Sequence, residues 1–223
     1  MPLKLLKKLS PKSDVYKVIR NAISKELVGF CYDYFRTKRK VTKLLVDTGY
    51  IPKNETAWGM WNDPQAPDTY SHYGDIGMET LLLKVQPILE KELSMKLSPT
   101  YSFARLYKNG DELVRHKDRY SCEVSATLNL GGDPWSIFLE PSGEQEEEGL
   151  EVLLEPGDML IYEGEKMEHW REKFNGESCG QVFLHYNDAS LDGAEKNKYD
   201  GRPFLGLPPW FAGFKLKDDY NCN

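Results

Sequence analysis

The run Tyr101-Ser-Phe-Ala-Arg-Leu-Tyr107-Lys-Asn109-Gly110, answered by Glu123-Val-Ser-Ala-Thr127-Leu-Asn-Leu130-Gly131-Gly132-Asp133-Pro134, decides the fold class. Each is a short stretch rich in β-branched and aromatic residues that stops at a turn signal. The pattern repeats over 136–140, 151–154, 159–162, 169–174 and 181–186, punctuated by Pro141-Ser-Gly143, Pro156-Gly-Asp158 and Asn175-Gly176. Strands spaced by roughly 8–12 residues with such turns predict a β-sandwich or barrel. Residues 144–148 hold four acids in five positions between two of these strands and are expected to form a solvated hairpin tip.

Toward the N-terminus the period changes. Residues 15–23 are β-branched and read as a strand, and Ser24 is a candidate N-cap. Leu27, Phe30, Cys31, Tyr34 and Phe35 then recur at helical spacing. The basic run 36–43 suits the end of that helix, where cations meet the negative pole of the dipole. It reads as a solvated helix end, with a phosphate-binding patch as the alternative. Residues 52–75 hold three prolines, Trp58 and Trp61 and predict one long loop, either a lid or a plug at the core edge. A second helix is expected over 77–97, kinked or split at Pro87. Beyond residue 190 the tail is polar until the Pro-rich apolar segment 203–214, expected to pack over the surface. The prediction is an α+β chain of one structural domain. Residues 1–98 supply a strand, supporting helices and a lid loop, 99–190 a double-stranded β-helix (jelly roll) core, and 191–223 a tail.

Composition bounds the function class. With 223 residues, 40% of them hydrophobic, the chain can bury one sizeable core. No apolar run reaches about 18 residues, so no membrane partner is expected. Lysines interrupt each apolar pair among the first nine residues, unlike the apolar stretch of a signal peptide. Cys31, Cys122, Cys179 and Cys222 lie far apart, without a CxxC pair. They are expected to be free thiols in a reducing cytoplasm. The net charge of −6 argues against nucleic acid as a partner and leaves a peptide or small-molecule substrate. Oligomeric state is not legible.

The chemistry gathers on two of the four histidines. In His116-Lys-Asp118, an extended chain projects the imidazole and the carboxylate to one side. His169 begins a strand about fifty residues later, after the Pro156-Gly-Asp158 turn and its strand, and can reach the same point across a barrel mouth. Two imidazoles and one carboxylate on one face of a metal leave open positions, the facial triad of non-heme Fe(II) oxygenases. The competing reading is a capping Asp118 and two surface histidines.

These motifs, from 101–110 through His116-Lys-Asp118-Arg119 and 125–130, then Pro156-Gly-Asp158, His169-Trp-Arg171 and 181–186, resemble the 2-oxoglutarate- and Fe(II)-dependent dioxygenases. The resemblance covers about residues 75–190 and is closest to the prolyl 4-hydroxylase-like group. It implies that His116, Asp118 and His169 hold Fe(II), that Tyr107 hydrogen-bonds 2-oxoglutarate and that Thr127 lines its pocket. It also implies activation of O₂, decarboxylation of 2-oxoglutarate to succinate and hydroxylation of an unactivated C–H bond, with ascorbate as an accessory reductant.

One departure stands out. The family places a Lys or Arg about ten residues after the distal histidine, to pair with the far carboxylate of 2-oxoglutarate. Here Glu177-Ser-Cys-Gly-Gln181 holds no base. A buried carboxylate without a cationic or multi-donor partner is costly. Arg171, two residues after His169, faces the same way on a strand and offers a planar fork. Arg105, two residues before Tyr107, is a second candidate, while Gln181 and His185 could give neutral donors. Arg119 and Tyr120 follow Asp118 and are candidate substrate contacts. His72 and Tyr73 read as lid or structural residues. Two readings from other classes stand beside the hydroxylase. One is a non-catalytic cupin-like metal-binding module, which the missing base favours. The other is a metal-dependent hydrolase or isomerase, which would need a general base that no neighbouring carboxylate supplies.

Overall fold

The computed structural model describes residues 16–53, 55–142 and 148–215. The expectations for residues 1–15, for the acidic tip at 144–147 and for Cys222 lie outside the described residues. In chain order the elements are β1 (Tyr16–Ile19), α1 (Lys25–Asp47), β2 (Tyr70–Tyr73), α2 (Ile76–Leu93), β3 (Leu97–Lys108), β4 (Leu113–His116), β5 (Val124–Gly132), β6 (Ile137–Glu140), β7 (Leu150–Val152), β8 (Met159–Tyr162), β9 (Glu168–Arg171) and β10 (Ser178–Asp188). The strands form two antiparallel sheets, one of six in the order β1-β8-β5-β10-β3-β2 and one of four in the order β4-β9-β6-β7. This is the expected α+β jelly roll.

The period of two divides the large sheet into two chemically different faces. Ala104 and Leu106 of β3, Ala126 and Leu128 of β5, and Val182 and Leu184 of β10 point outward. They meet Val28, Cys31 and Phe35 of α1 and Met78, Leu82, Val85 and Leu89 of α2 in one apolar core. The residues between them point inward as cross-strand neighbours: Tyr107 beside Cys179, Arg105 beside Gln181, Phe103 beside Phe183, Tyr101 beside His185. Ser125 and Thr127 of β5 join this row beside His185 and Phe183. The helices thus stabilise the sheet from behind and leave its inner face free for polar groups.

Both helices begin at caps and run differently from expectation. Ser24 Oγ accepts from the Leu27 amide at 3.2 Å, as predicted. However, α1 continues to Asp47, so the basic run 36–43 lies inside the helix, and its last turn holds no base. Its stop comes at Thr48-Gly49, where Gly49 takes φ 73°. Within the run, Lys38 turns inward to pair with the fully buried Asp75. Asp75 caps α2, accepting from the Met78 amide at 2.9 Å. Pro87 neither splits nor ends α2. The carbonyl deprived of its partner belongs to Leu83, on the exposed side of the helix, where water can replace it.

The stretch 52–75 is not one loop. A short 3₁₀ turn spans Thr56–Trp58, Met60 bridges to Ser71, and β2 completes the edge of the large sheet against β3. The four residues of β2 are too few for a readable alternation, and β4 escaped prediction for the same reason. Trp61 is a plug, packed 4.9 Å from Tyr70, while Trp58 stays 40% exposed. The tail packs over the surface only in part: Leu205 joins the main core, but Phe204, Trp210 and Phe214 remain exposed. Cys31, Cys122 and Cys179 are free and buried. No helix among the described residues is long and apolar enough to cross a membrane.

Candidate metal centre and the arginine beneath it

β4 and β9 pair so that His116 stands directly opposite His169. Their rings lie 4.3 Å apart, centroid to centroid. Asp118 follows β4 in a loop pinned by its own amide, which donates to the Gly164 carbonyl at 2.9 Å. Gly164 is required there, because a Cβ would collide with Asp118 Oδ2 and Ser125 Oγ. The result places Asp118 Oδ1 3.5 Å from His116 Nε2 and 3.6 Å from His169 Nε2. One donor atom from each residue lies within 4.8 Å of the others.

Backbone carbonyls orient both rings. His116 Nδ1 lies 2.7 Å from the Val114 carbonyl, and His169 Nδ1 3.1 Å from that of Met167. A carbonyl only accepts, so Nδ1 carries a proton in both rings and Nε2 is the nitrogen turned toward Asp118. Burial alone would raise the Asp118 pKa, but hydrogen bonding to both histidines holds it well below the usual carboxylate range. For His116, burial acts to lower the pKa and is outweighed by Asp118 and the Val114 carbonyl, which raise it. An anionic oxygen and two imidazole nitrogens converging on one side form a hard-to-borderline donor set suited to Fe(II).

A cavity of about 390 Å³ opens from this cluster. Two arginine–aspartate pairs tie other segments to its rim. Arg105 pairs with Asp63 and donates to Gln65 Oε1 at 2.7 Å, fastening the 59–69 loop to the barrel. Arg119 grips Asp200 of the tail through two 2.6 Å hydrogen bonds and lies over the Tyr101 ring. Asp200 also accepts from Tyr73 Oη at 2.6 Å and Ser121 Oγ at 2.7 Å. These bonds hold Tyr199 and Asp200 at φ 55° and 58°, a left-handed backbone that non-glycine residues avoid.

Several expectations need correction at this point. Arg105 lines the cavity but already has Asp63 as an acid partner, and its Nη1 donates to Tyr107 Oη at 3.1 Å, so an anion there would share it with Asp63. Tyr120 is 38% exposed and absent from the cavity wall, because a 3₁₀ turn at Tyr120–Cys122 rotates it outward. His72 lies on the outer face, its Nδ1 3.2 Å from Asp75, whereas Tyr73 lines the cavity. Thr127 and Gln181 do share the inner face, 3.5 Å apart, and Gln181 also donates to Cys179 Sγ. Tyr101, Phe103 and Phe183 line the cavity and were missed, although they share parity with Tyr107 and Gln181. Asp63, Gln65, Cys122 and Tyr162 also line it, and no sequence signal linked Asp63 to Arg105.

Arg171 lies deeper, on the same face of β9 as His169, and is 2% exposed. Its Nη1 donates to the Trp135 carbonyl at 2.5 Å and its plane lies over the Trp135 ring. Nε and Nη2 are buried and have no partner, and no ion pair involves Arg171 among the described residues. Burial pushes its pKa down, and Cys179, Tyr107 and Tyr162, the groups that oppose this, are ordinarily neutral. A guanidinium this deep without an anion is an incomplete ion pair. Its free edge matches a carboxylate.

No family model matches the chain, and no curated protein matches it by sequence. The fold does have solved counterparts. A prolyl-4-hydroxylase from Pseudomonas putida superposes with a TM-score of 0.55 at 13% identity, over 79% of this chain and 94% of that one. The non-heme α-ketoglutarate-dependent epimerase SnoN from nogalamycin biosynthesis gives 0.57 at 14% identity, over 92% of each chain. HygX from Streptomyces hygroscopicus, with nickel, 2-oxoglutarate and hygromycin B bound, gives 0.56 at 13% identity, over 79% of this chain and 84% of that one. The chain therefore shares the fold of these oxygenases.

Proposed function

We propose that the protein is an Fe(II)- and 2-oxoglutarate-dependent oxygenase that hydroxylates an unactivated C–H bond. The observation that carries this reading is Arg171, a buried guanidinium lacking an anion, on the same strand face as a histidine of the metal cluster. The residues fit both groups. His116, Asp118 and His169 would hold the metal through one carboxylate oxygen and two Nε2 lone pairs. Arg171 would take the far carboxylate of 2-oxoglutarate, with Tyr107 as a neutral donor held in place by Arg105, and Thr127 and Gln181 on the same inner face of the large sheet. Cys179 lies in the 177–181 stretch that holds no base, and burial and the neighbouring Arg171 are the leading influences on its thiol, which supports Arg171 as the replacement. When bound, the iron supplies the activation of O₂ that couples decarboxylation of 2-oxoglutarate to C–H oxidation.

The substrate we infer is a small molecule rather than a peptide. The Arg105–Asp63 and Arg119–Asp200 pairs stand at the cavity of about 390 Å³, and this favours a compact substrate. Hygromycin B in HygX is a small-molecule precedent on this fold.

Anaerobic reconstitution with Fe(II) tests the reading. The wild type should melt several degrees higher with 2-oxoglutarate plus metal than with metal alone, since saturating ligand adds a few kcal/mol. Once O₂ is admitted, succinate should form only with iron present. Failure of 2-oxoglutarate to stabilise the metal-loaded protein would overturn the proposal. Binding of both without succinate, over a panel of small-molecule substrates, would favour the non-catalytic module.

A further inference from the structure

Asp118 has a second oxygen, and its surroundings differ from those of the first. Oδ1 faces the Nε2 atoms of His116 and His169. Oδ2 lies 3.3 Å from Ser125 Oγ, which in turn lies 2.9 Å from His185 Nδ1. On that side stand Cys122 and His185, 2% and 5% exposed, both on the cavity wall. One donor atom each from Asp118, Cys122 and His185 lies within 4.8 Å of the others, so three different elements converge on one point.

We propose that Asp118, Cys122 and His185 form a second metal subsite, which shares the Asp118 carboxylate with the His116/His169 cluster and selects a thiophilic divalent cation such as Zn²⁺. The donor types argue for that choice. Sulfur, imidazole nitrogen and a single carboxylate oxygen make a set that zinc and cobalt accept and that magnesium, calcium and manganese do not favour. The surrounding contacts are already in place. Ser125 Oγ lies 2.9 Å from His185 Nδ1 and fixes the imidazole at the site. Tyr101 Oη lies 3.0 Å from Cys122 Sγ and can donate to the thiolate once the ion has displaced its proton to solvent. Tyr101 also packs 4.6 Å from the His185 ring and fixes its plane. Three protein ligands leave a fourth tetrahedral position for water. An ion there would occupy the cavity beside the first metal, so Zn²⁺ beyond one equivalent should inhibit turnover by blocking substrate.

This inference rests on the metal reading only through Asp118, and the experiment separates the two. Full-length protein stripped by chelator is titrated anaerobically with Co²⁺. Two equivalents should bind, with a thiolate-to-cobalt charge-transfer band in the near ultraviolet. Cys122→Ser should lose the band and one equivalent, while Cys31→Ser, Cys179→Ser and Cys222→Ser keep both. The double variant His116→Ala/His169→Ala should keep the band and lose the other equivalent. His185→Gln repeats the test should Cys122→Ser fail to fold. One equivalent without the band would overturn the second subsite and leave the first standing. A band that survives Cys122→Ser would overturn it as well, and no binding at all would overturn both.

Discussion

Arg171 and Arg202 are equally buried, at 2% and 3% exposure, yet they occupy opposite electrostatic situations. Arg202, in the tail, donates to Glu79 Oε1 at 2.8 Å and to the carbonyls of Thr100, Leu207 and Tyr199, and lies over the Tyr73 ring. All three of its nitrogens are engaged, and Glu79 accepts further from the Ser102 and Gly206 amides. Arg171 has one carbonyl and one ring. A buried charge persists when its partners are built into the chain or arrive with a ligand. Arg202 belongs to the first kind and holds the tail to α2, whereas Arg171 belongs to the second and waits in the barrel. Burial depth therefore says little about role, while the partner count says much.

The largest effect should fall on the completed pair. Glu79→Ala leaves Arg202 buried without its acid, and Arg202→Ala does the converse. Each should cost about 3–5 kcal/mol in urea unfolding, the usual penalty for orphaning a buried charge. Arg171→Met should behave oppositely, changing the stability of the ligand-free protein by less than about 1 kcal/mol or raising it, since no ion pair is broken. It should weaken 2-oxoglutarate about 100-fold, which corresponds to roughly 2.7 kcal/mol, by calorimetry on metal-loaded protein. Arg171→Lys keeps the charge but loses the fork and should fall between. If Arg171→Met unfolded the protein as readily as Glu79→Ala, the two arginines would share one structural role and the contrast would collapse.

The sequence made one side of this contrast legible. His116, Asp118 and His169 could be chosen because a period of two and a turn pattern place them on one face, and Arg171 followed from its parity with His169. The missing base on β10 directed attention to it. Arg202 and Glu79 were invisible, being 123 positions apart with neither in a motif. The same holds for Asp63 with Arg105 and Asp200 with Arg119: long-range ion pairs carry no local period. β2 and β4, with four residues each, are defined by the strands they pair with rather than by their own alternation. The helix boundaries shifted because the stop signal at Gly49 outranked the dipole preference of the basic run.

The smallest effect tests the tail's second anchor, which is wet where the Glu79 pair is dry. Burial would raise the Asp200 pKa, but hydrogen bonds from Arg119, Tyr73 and Ser121 bring it down to about 2. A carboxylate depressed in the folded state stabilises fully above its unfolded pKa of about 3.9 and loses that contribution as pH falls toward about 2. The Arg119 side chain is 52% exposed, so solvent screening reduces the effect. Asp200→Asn keeps the size of the side chain and removes the charge. It should cost about 1–2 kcal/mol at neutral pH, with the gap to wild type closing between about pH 4 and about pH 2. The Glu79→Ala deficit should not follow this acid profile, because burial raises the Glu79 pKa against the hydrogen bonds from Arg202 and places its titration at higher pH. An Asp200→Asn deficit that held constant down to about pH 2 would show that the hydrogen bonds of Asp200, not its charge, keep the tail at the cavity rim. Glu79–Arg202 would then be the remaining ionic tether of the tail among the described residues.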